Sequence, residues 1–276
     1  SLWWKELEEE PARRLLAVSG DNAYYLESLR RFKPHTLSEV EEKVINLKDV
    51  NGVQALVTLY DMITNAFTFT VEIDGEIKKL SRSELMVYAR DPRPEVRAAI
   101  YRELYRVYGE ESTVLGQIYR HIVQDWASEQ LGLRKFPSPI TVRNLENDIP
   151  DPVVDTLLEV CRQNAPLFRR YFRLKAGWLG LERLRRYDIY APLRPSDKSY
   201  PFSEAVETVL DSLDRFSPIL ADHARRVLGD GHLDSEIRPC KDTGAFCYSV
   251  LPGLTPWVLV NYHGRVDDVS TLAHEL

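Results

Sequence analysis

The chain has 276 residues, 44% hydrophobic and 28% charged, with 42 acidic against 36 basic side chains and a formal net charge of -6. That length buries roughly three quarters of the unfolded surface in one large or two medium domains without staples, and this ordinary composition excludes a collagen or a disordered tail. The acidic surplus argues against a nucleic-acid partner, and no apolar run approaches the ~18 residues of a membrane-spanning helix, so no membrane partner is expected either.

Cys161, Cys240 and Cys247 are odd in number and form no Cys-x-x-Cys, so free thiols in a reducing cytoplasm are expected. The apolar start Leu2-Trp3-Trp4 turns acidic at once and is not a signal peptide. Neither methionine is first, and the chain stops at Leu276 inside an amphipathic pattern; both ends read as edges of a piece.

Most of the chain reads as helix. Pro11 suits a first helical turn, and Gly20 closes the stretch to Val18. Asp21 is placed to cap a helix that carries Tyr25, Leu26 and Leu29 and ends before Pro34. Ser38 and Glu41 have capping-box spacing for a helix through Leu47, and residues 53–63 form another after Asn51-Gly52. The period then drops to two. Phe67, Phe69, Val71 and Ile73 alternate with polar residues before Asp74-Gly75, which predicts a β-hairpin over 67–80. A lone hairpin is marginal, so those four side chains are expected to face a helix. Ser81 with Glu84 restarts helix.

Asp91-Pro92 opens the longest helical tract. Val96, Ile100, Leu104, Val107, Leu115, Ile118, Ile122 and Trp126 fall at helical spacing, with Gly109 and Gly116 as points of bending. A proline-bearing loop over 132–151 follows, and Asp151-Pro152 starts another long helix toward Gly180. Arg169, Arg170, Arg173, Arg183, Arg185 and Arg186 read as a solvated face in preference to the alternative of a basic groove, given the acidic whole.

The polar connection 193–201 is the best internal boundary, dividing 1–192 from 193–276. Helices over 203–216 and 219–228 come next, then strands over 245–250 and 257–262 joined by Leu251-Pro252-Gly253. A final helix begins near Asp267 or Asp268, with Val269, Leu272, Ala273 and Leu276 as its apolar stripe.

The chemistry lies in Thr271-Leu272-Ala273-His274-Glu275-Leu276. Zinc peptidases carry His-Glu-x-x-His on a helix, because histidines four apart share one face and reach one metal. The glutamate beside the first histidine serves as general base toward the water that the metal polarises. His274 and Glu275 are the first half of that motif. As an isolated pair they also fit an ordinary polar face of a helix. His35, His121, His223, His232 and His263 have no histidine or cysteine at i+3 or i+4 and read as core or surface residues. There is no glycine-rich phosphate loop and no Gly-x-Ser-x-Gly elbow.

The stretches Gly244-Ala245-Phe246-Cys247-Tyr248, Pro256 to Tyr262 and Asp268 to Leu276 closely resemble the approach to the zinc helix of the oligoendopeptidase F family, relatives of thimet oligopeptidase. Leu37-Ser38-Glu39, Asp91-Pro92 with Glu95-Val96-Arg97, and Arg186-Tyr187-Asp188-Ile189-Tyr190-Ala191-Pro192-Leu193 match in family order, so the resemblance covers essentially the whole chain. Trp257 stands where a tyrosine is more usual. The resemblance implies a mainly α, helical metallopeptidase-type fold with small β-hairpins: a helical domain over 1–192 and the first part of a catalytic domain over 193–276. It implies a cytoplasmic zinc endopeptidase acting on oligopeptides, with His274 as a metal ligand and Glu275 as the catalytic base. It further implies that the strand at Gly244, Ala245 and Phe246 binds substrate backbone by β-augmentation, small residues letting a peptide come close. Alternation alone also allows Cys247 and Tyr248 to belong to a buried structural hairpin.

Relatives in this family are longer and hold a second histidine and a glutamate as further ligands. One ligand is too few for a catalytic zinc, so zinc is not expected to bind stably to this chain, and the chain alone is expected to be inactive. An apolar patch around Leu272, Leu276 and Trp257 is expected to drive self-association. The competing reading is a non-catalytic helical scaffold or peptide-binding module.

Overall fold

The computed structural model describes residues 2–193, 198–251 and 253–276. Four residues of the expected 193–201 connection, and Pro252 of the expected turn, lie outside them. Among the described residues the helices in chain order are α1 (Leu2–Glu6), α2 (Glu9–Leu16), α3 (Ala23–Arg31), α4 (Glu39–Asn51) and α5 (Val53–Asn65). The hairpin β1 (Phe69–Ile73) and β2 (Glu76–Leu80) leads to α6 (Arg82–Val87), α7 (Pro94–Glu110), α8 (Ser112–Ala127), α9 (Pro139–Glu146) and α10 (Asp151–Trp178). The chain continues through α11 (Phe202–Phe216), α12 (Pro218–Gly229), β3 (Leu233–Asp234), β4 (Phe246–Tyr248), β5 (Trp257–Leu259) and α13 (Val266–Glu275). The mainly α class with small sheets is the one expected.

The chain forms two compact units, each assembled from separate stretches: Ser1–Tyr60 with Ser112–Tyr171, and Asp61–Glu111 with Phe172–Leu276. In the first unit, α4 begins at the expected capping box, where the Ser38 hydroxyl accepts from Glu41 N–H and the Glu41 carboxylate accepts from Ser38 N–H. Arg134 clamps the Glu42 carboxylate with two bonds of 2.7 and 2.8 Å and donates a third, at 2.8 Å, to Glu129. The indole of Trp4 donates to the Leu26 carbonyl at 2.7 Å, joining α1 to α3. Asp21 does not cap α3. It sits in a short 3-10 turn, and the helix starts at Ala23 without a side-chain cap.

In the second unit the hairpin is built as expected. Asp74 and Gly75 both take positive φ, 56° and 79°, the signature of a two-residue turn whose twist suits the strands. Phe69, Val71 and Ile73 point inward and pack with Leu85 of α6 and with Val96, Ile100 and Val107 of α7; Phe69, Leu85 and Ile100 are fully buried. Phe67 lies outside the strand and meets Tyr108 edge-on at 5.1 Å. The tract after Asp91 breaks at Glu111, between α7 and α8. Gly109 and Gly116 lie within helices, and neither needs a conformation closed to other residues. The longest single helix is α10, which runs through Pro166.

Beneath the hairpin core α7 is anchored by a fully buried ion pair. Arg97 donates to Asp188 at 2.7 Å and to the carbonyls of Tyr187, Asp91 and Pro92. Asp188 also accepts from Arg185 N–H and Nε. Burial works to raise the Asp188 pKa, but the hydrogen bonds from Arg185 and Arg97 outweigh it and hold the carboxyl below the usual range.

The rest of the second unit packs α11 against α12 and α13. Ala205, Val209 and Leu272 form one small core, and Val227, Val258 and Val260 another. The strands pair in the order β3-β5-β4, with β3 parallel and β4 antiparallel to β5. Strand β3 carries no periodicity because it has only two residues. The expected strands over 245–250 and 257–262 each form only three residues, Phe246–Tyr248 and Trp257–Leu259. Leu272 is wholly buried and Leu276 half-buried against both cores, which corrects the expected exposed patch. Trp257 alone of the three stays exposed, stacked on His232 with ring centroids 3.9 Å apart.

Candidate active site

The helix carrying His274 and Glu275 is seated from both ends. At its start, one Asp268 carboxylate oxygen accepts from the N–H groups of Arg265 (2.8 Å) and His263 (3.0 Å), ending the preceding loop and opening α13. Three residues before its end, Leu272 fills the space between Ala205 and Val209 of α11. The loop into the helix turns at Gly264, which is buried with φ +85°. A Cβ there would stand 2.9 Å from the Ser199 hydroxyl and 3.3 Å from the Tyr200 carbonyl. Tyr200 N–H donates to the Gly264 carbonyl at 2.8 Å, and the Tyr262 hydroxyl donates to the Tyr200 carbonyl at 2.7 Å. His274 is exposed, and its ring makes no hydrogen bond among the described residues. Glu275 is half-buried beside it.

Strand β4 is the outer strand of its sheet. Phe246, Cys247 and Tyr248 pair with Leu259, Val258 and Trp257, and among the described residues β5 is the only partner, so the far edge is open. All three β4 residues are exposed, which removes the buried-hairpin reading of Cys247 and Tyr248. The approach to this strand is held by polar side chains reaching backbone carbonyls. The ammonium of Lys241 is buried and donates to the carbonyls of Asp234, Glu236 and Val260 and to the Asp234 carboxylate. Asn261 spans the carbonyls of Asp242 and Gly244, both at 3.0 Å. Arg82 donates to the Thr243 hydroxyl at 2.8 Å. Arg238 and Lys241 hold the Asp234 carboxyl far below its usual pKa.

Gly244 and Ala245 open onto a cleft of about 620 Å³ that continues past Asn261, Tyr262 and His263 to the first turn of α13. Burial pushes the His263 imidazole down and the Tyr262 phenol up, each favouring its neutral form.

Residues 87–276 match the sequence profile of peptidase family M3, and residues 3–69 match that of oligopeptidase F. The chain belongs to peptidase family M3. It is 24% identical over 98% of its length to oligopeptidase PepF of Bacillus subtilis, and 27% identical over 92% of its length to an oligoendopeptidase F homolog of Borreliella burgdorferi. It spans 41% and 43% of those relatives. Among solved structures it resembles PZ peptidase A with an inhibitor (TM-score 0.78, 17% identity, 99% of this chain and 48% of that one). It also resembles oligoendopeptidase-F from Enterococcus faecium (TM-score 0.60, 23% identity, 82% of this chain and 44% of that one).

A metal suited to M3 chemistry has one evident donor here, the unpaired ring of His274, with a carboxylate next to it in sequence. Imidazole is a proper zinc donor, so the residue fits, but no group of three donors among the described residues includes it. The group that does form, Asp49, Asp125 and Glu129, is in the first unit. Lys48 pairs with Asp125 and Asp49, and Arg134 with Glu129, so cations already occupy it.

Of the residues expected from sequence, Gly244 and Ala245 share one cleft, Phe246 stands on the open strand, and His274 and Glu275 end α13. Lys241, Asn261, Arg82 and Arg265 were missed as parts of this region. Asn261 lay inside the recognised Pro256 to Tyr262 stretch. Lys241 carried no signal, since a lysine buried against four acceptors looks in sequence like any surface lysine.

Proposed function

We propose that the protein carrying this chain is a cytoplasmic zinc endopeptidase that cleaves oligopeptides, and that 193–276 is the first part of its catalytic domain. What supports this best is the placement of His274-Glu275 at the end of a helix whose entry loop shares one cleft with Gly244 and Ala245, the residues that lead into the edge strand β4, in a chain of family M3. When bound, zinc would supply a Lewis acid that polarises water and the scissile carbonyl. His274 would be one of its ligands. Glu275 would take a proton from water and return it to the departing amine. Gly244, Ala245 and Phe246 would hold the peptide main chain as an added strand, a mode that gives affinity with little side-chain preference.

In the protein that carries this chain, Glu275→Gln keeps a hydrogen-bonding group but no base, and is expected to lower turnover at least ~10²-fold with peptide binding retained. Near-normal cleavage by that variant at full zinc occupancy sinks the assignment. For the chain by itself, stoichiometric zinc is expected to leave the melting temperature unchanged, because binding to the folded state is what would raise it. A rise that disappears in His274→Ala would reveal ligands beyond the one recognised.

A further inference from the structure

The cleft beside Gly244 and Ala245 has an uneven charge lining: three guanidinium groups, from Arg82, Arg90 and Arg265, face two carboxylates, from Asp267 and Asp268. Arg90 and Asp267 pair with each other. Asp268 spends one carboxylate oxygen on two backbone N–H groups. Arg82 has a neutral partner, the Thr243 hydroxyl, and among the described residues no carboxylate pairs with it. Arg265 is half-buried, and among the described residues no carboxylate lies within ion-pairing distance of its guanidinium and no acceptor takes its N–H groups. A cation held partly out of water with no carboxylate paired to it is costly, and burial lowers the Arg265 pKa despite the more distant charges of Asp268 and Asp91. Such a group is the natural receptor for an anion, and the planar guanidinium fork matches a carboxylate with two parallel bonds.

The cleft also names the carrier of that anion. Gly244 and Ala245 form part of its wall and lead directly into the open strand β4. An extended peptide laid along that edge would bring its next residue to the cleft. Tyr190 also lines the cleft, its ring flanked by the guanidinium groups of Arg90 and Arg186 at 5.9 and 5.7 Å. We propose that this cleft is a carboxylate subsite of the oligopeptide site, in which Arg265, assisted by Arg82, binds either the free C-terminus of the peptide or an acidic side chain. This rests on the peptide-cleaving reading, which it sharpens by making substrates with a carboxylate in that position the preferred ones.

The test is a binding titration of the metal-free chain with four labelled peptides of one length. They are a neutral free acid, its C-terminal amide, the amide with one internal glutamate, and the same amide with glutamine in its place. The free acid or the glutamate peptide should bind at least about ten-fold more tightly than the neutral amides, the loss typical of a charge-assisted hydrogen bond. Which of the two does so identifies the source of the carboxylate. Arg265→Gln should erase the difference, Arg82→Gln should reduce it, and Arg265→Lys, which keeps the charge but not the fork, should retain part of it. If all four peptides bind the unaltered chain equally, the subsite does not exist and the peptide reading stands. If none binds, peptide capture by this chain fails, and the subsite with it. Should Arg265→Gln fail to fold, the Arg82→Gln and Arg265→Lys variants and the four-peptide comparison still decide.

Discussion

The two small sheets of the second unit solve the same problem in different ways. The β1–β2 hairpin has two five-residue strands in regular register, and its inner face is covered by α6 and α7. Its position follows from apolar burial. The β3-β5-β4 sheet has strands of two or three residues, only Val258 among them fully buried, and one exposed edge strand. It is held by polar side chains: Lys241 and Asn261 reach main-chain carbonyls, and Arg82 reaches the Thr243 hydroxyl. A strand that is to accept a peptide, as proposed for β4, cannot be covered, so it cannot be fixed by packing on that side. Fixed hydrogen-bond donors placed behind it do the same job and leave the edge free.

This contrast can be broken most decisively at the hairpin. Phe69→Ala, at a fully buried site, should cost about 3–5 kcal/mol, whereas Tyr248→Ala on exposed β4 should stay within about 0.5 kcal/mol of the parent. Denaturant unfolding of both variants measures the gap, and similar losses would remove the distinction. Asp188→Asn attacks the anchor of α7 and leaves Arg97 buried without its counter-charge, a loss of about 3–5 kcal/mol. Here the pH dependence adds a second reading. The folded pKa of Asp188 is depressed, so its contribution is complete above the unfolded value of about 4 and fades as pH falls toward the lower folded value. Melting temperatures taken from pH 6 down to pH 3 should therefore fall more steeply in the parent than in Asp188→Asn. Lys241→Met sharpens the comparison at smaller cost. It removes a donor from four acceptors, worth about 1–3 kcal/mol, and should loosen β4 and β5 while the hairpin keeps its protection. Hydrogen exchange at the amides of Val258 and Val260 against those of Val71 and Ile73 reads this directly. Equal loss of protection in both sheets would show that Lys241 acts on the whole unit.

The features open to sequence reading were those decided within a few residues. A capping box needs only the N-cap and the third helical residue, so Ser38 with Glu41 and Ser81 with Glu84 stood out, and both form. The hairpin turn needed only Asp74-Gly75. His274-Glu275 stood out because a helix face is a local property. The cleft did not, because its wall draws on α6, Tyr190, the stretch before β4 and the loop into α13, which are brought together only by the fold. Lys241, and Arg265 in its proposed role, depend on what surrounds them: one is saturated with acceptors, and the other has no paired carboxylate among the described residues. No spacing in the chain separates these two from the other basic residues. The break between α7 and α8 escaped for a related reason: Gly109 and Gly116 draw attention, yet α7 ends at Glu110 with its cap at Glu111, where neither glycine nor proline marks it.

The contact at Gly264 fixes when, as well as where, the peptidase helix can settle. Its partners Ser199 and Tyr200 come more than sixty residues earlier, and the hydrogen bond from Tyr262 to Tyr200 spans 62. At a synthesis rate of about 5–20 residues per second, Tyr200 leaves the ribosome roughly 3–12 seconds before the segment that is to enclose it. In that interval α11 and α12 can pair with each other, since their contact is local, but the floor on which α13 will rest lacks its lid. Helix α13 is thus among the last parts of the second unit to reach its place during synthesis, and a chain at that stage exposes the Ala205 and Val209 face that Leu272 later covers.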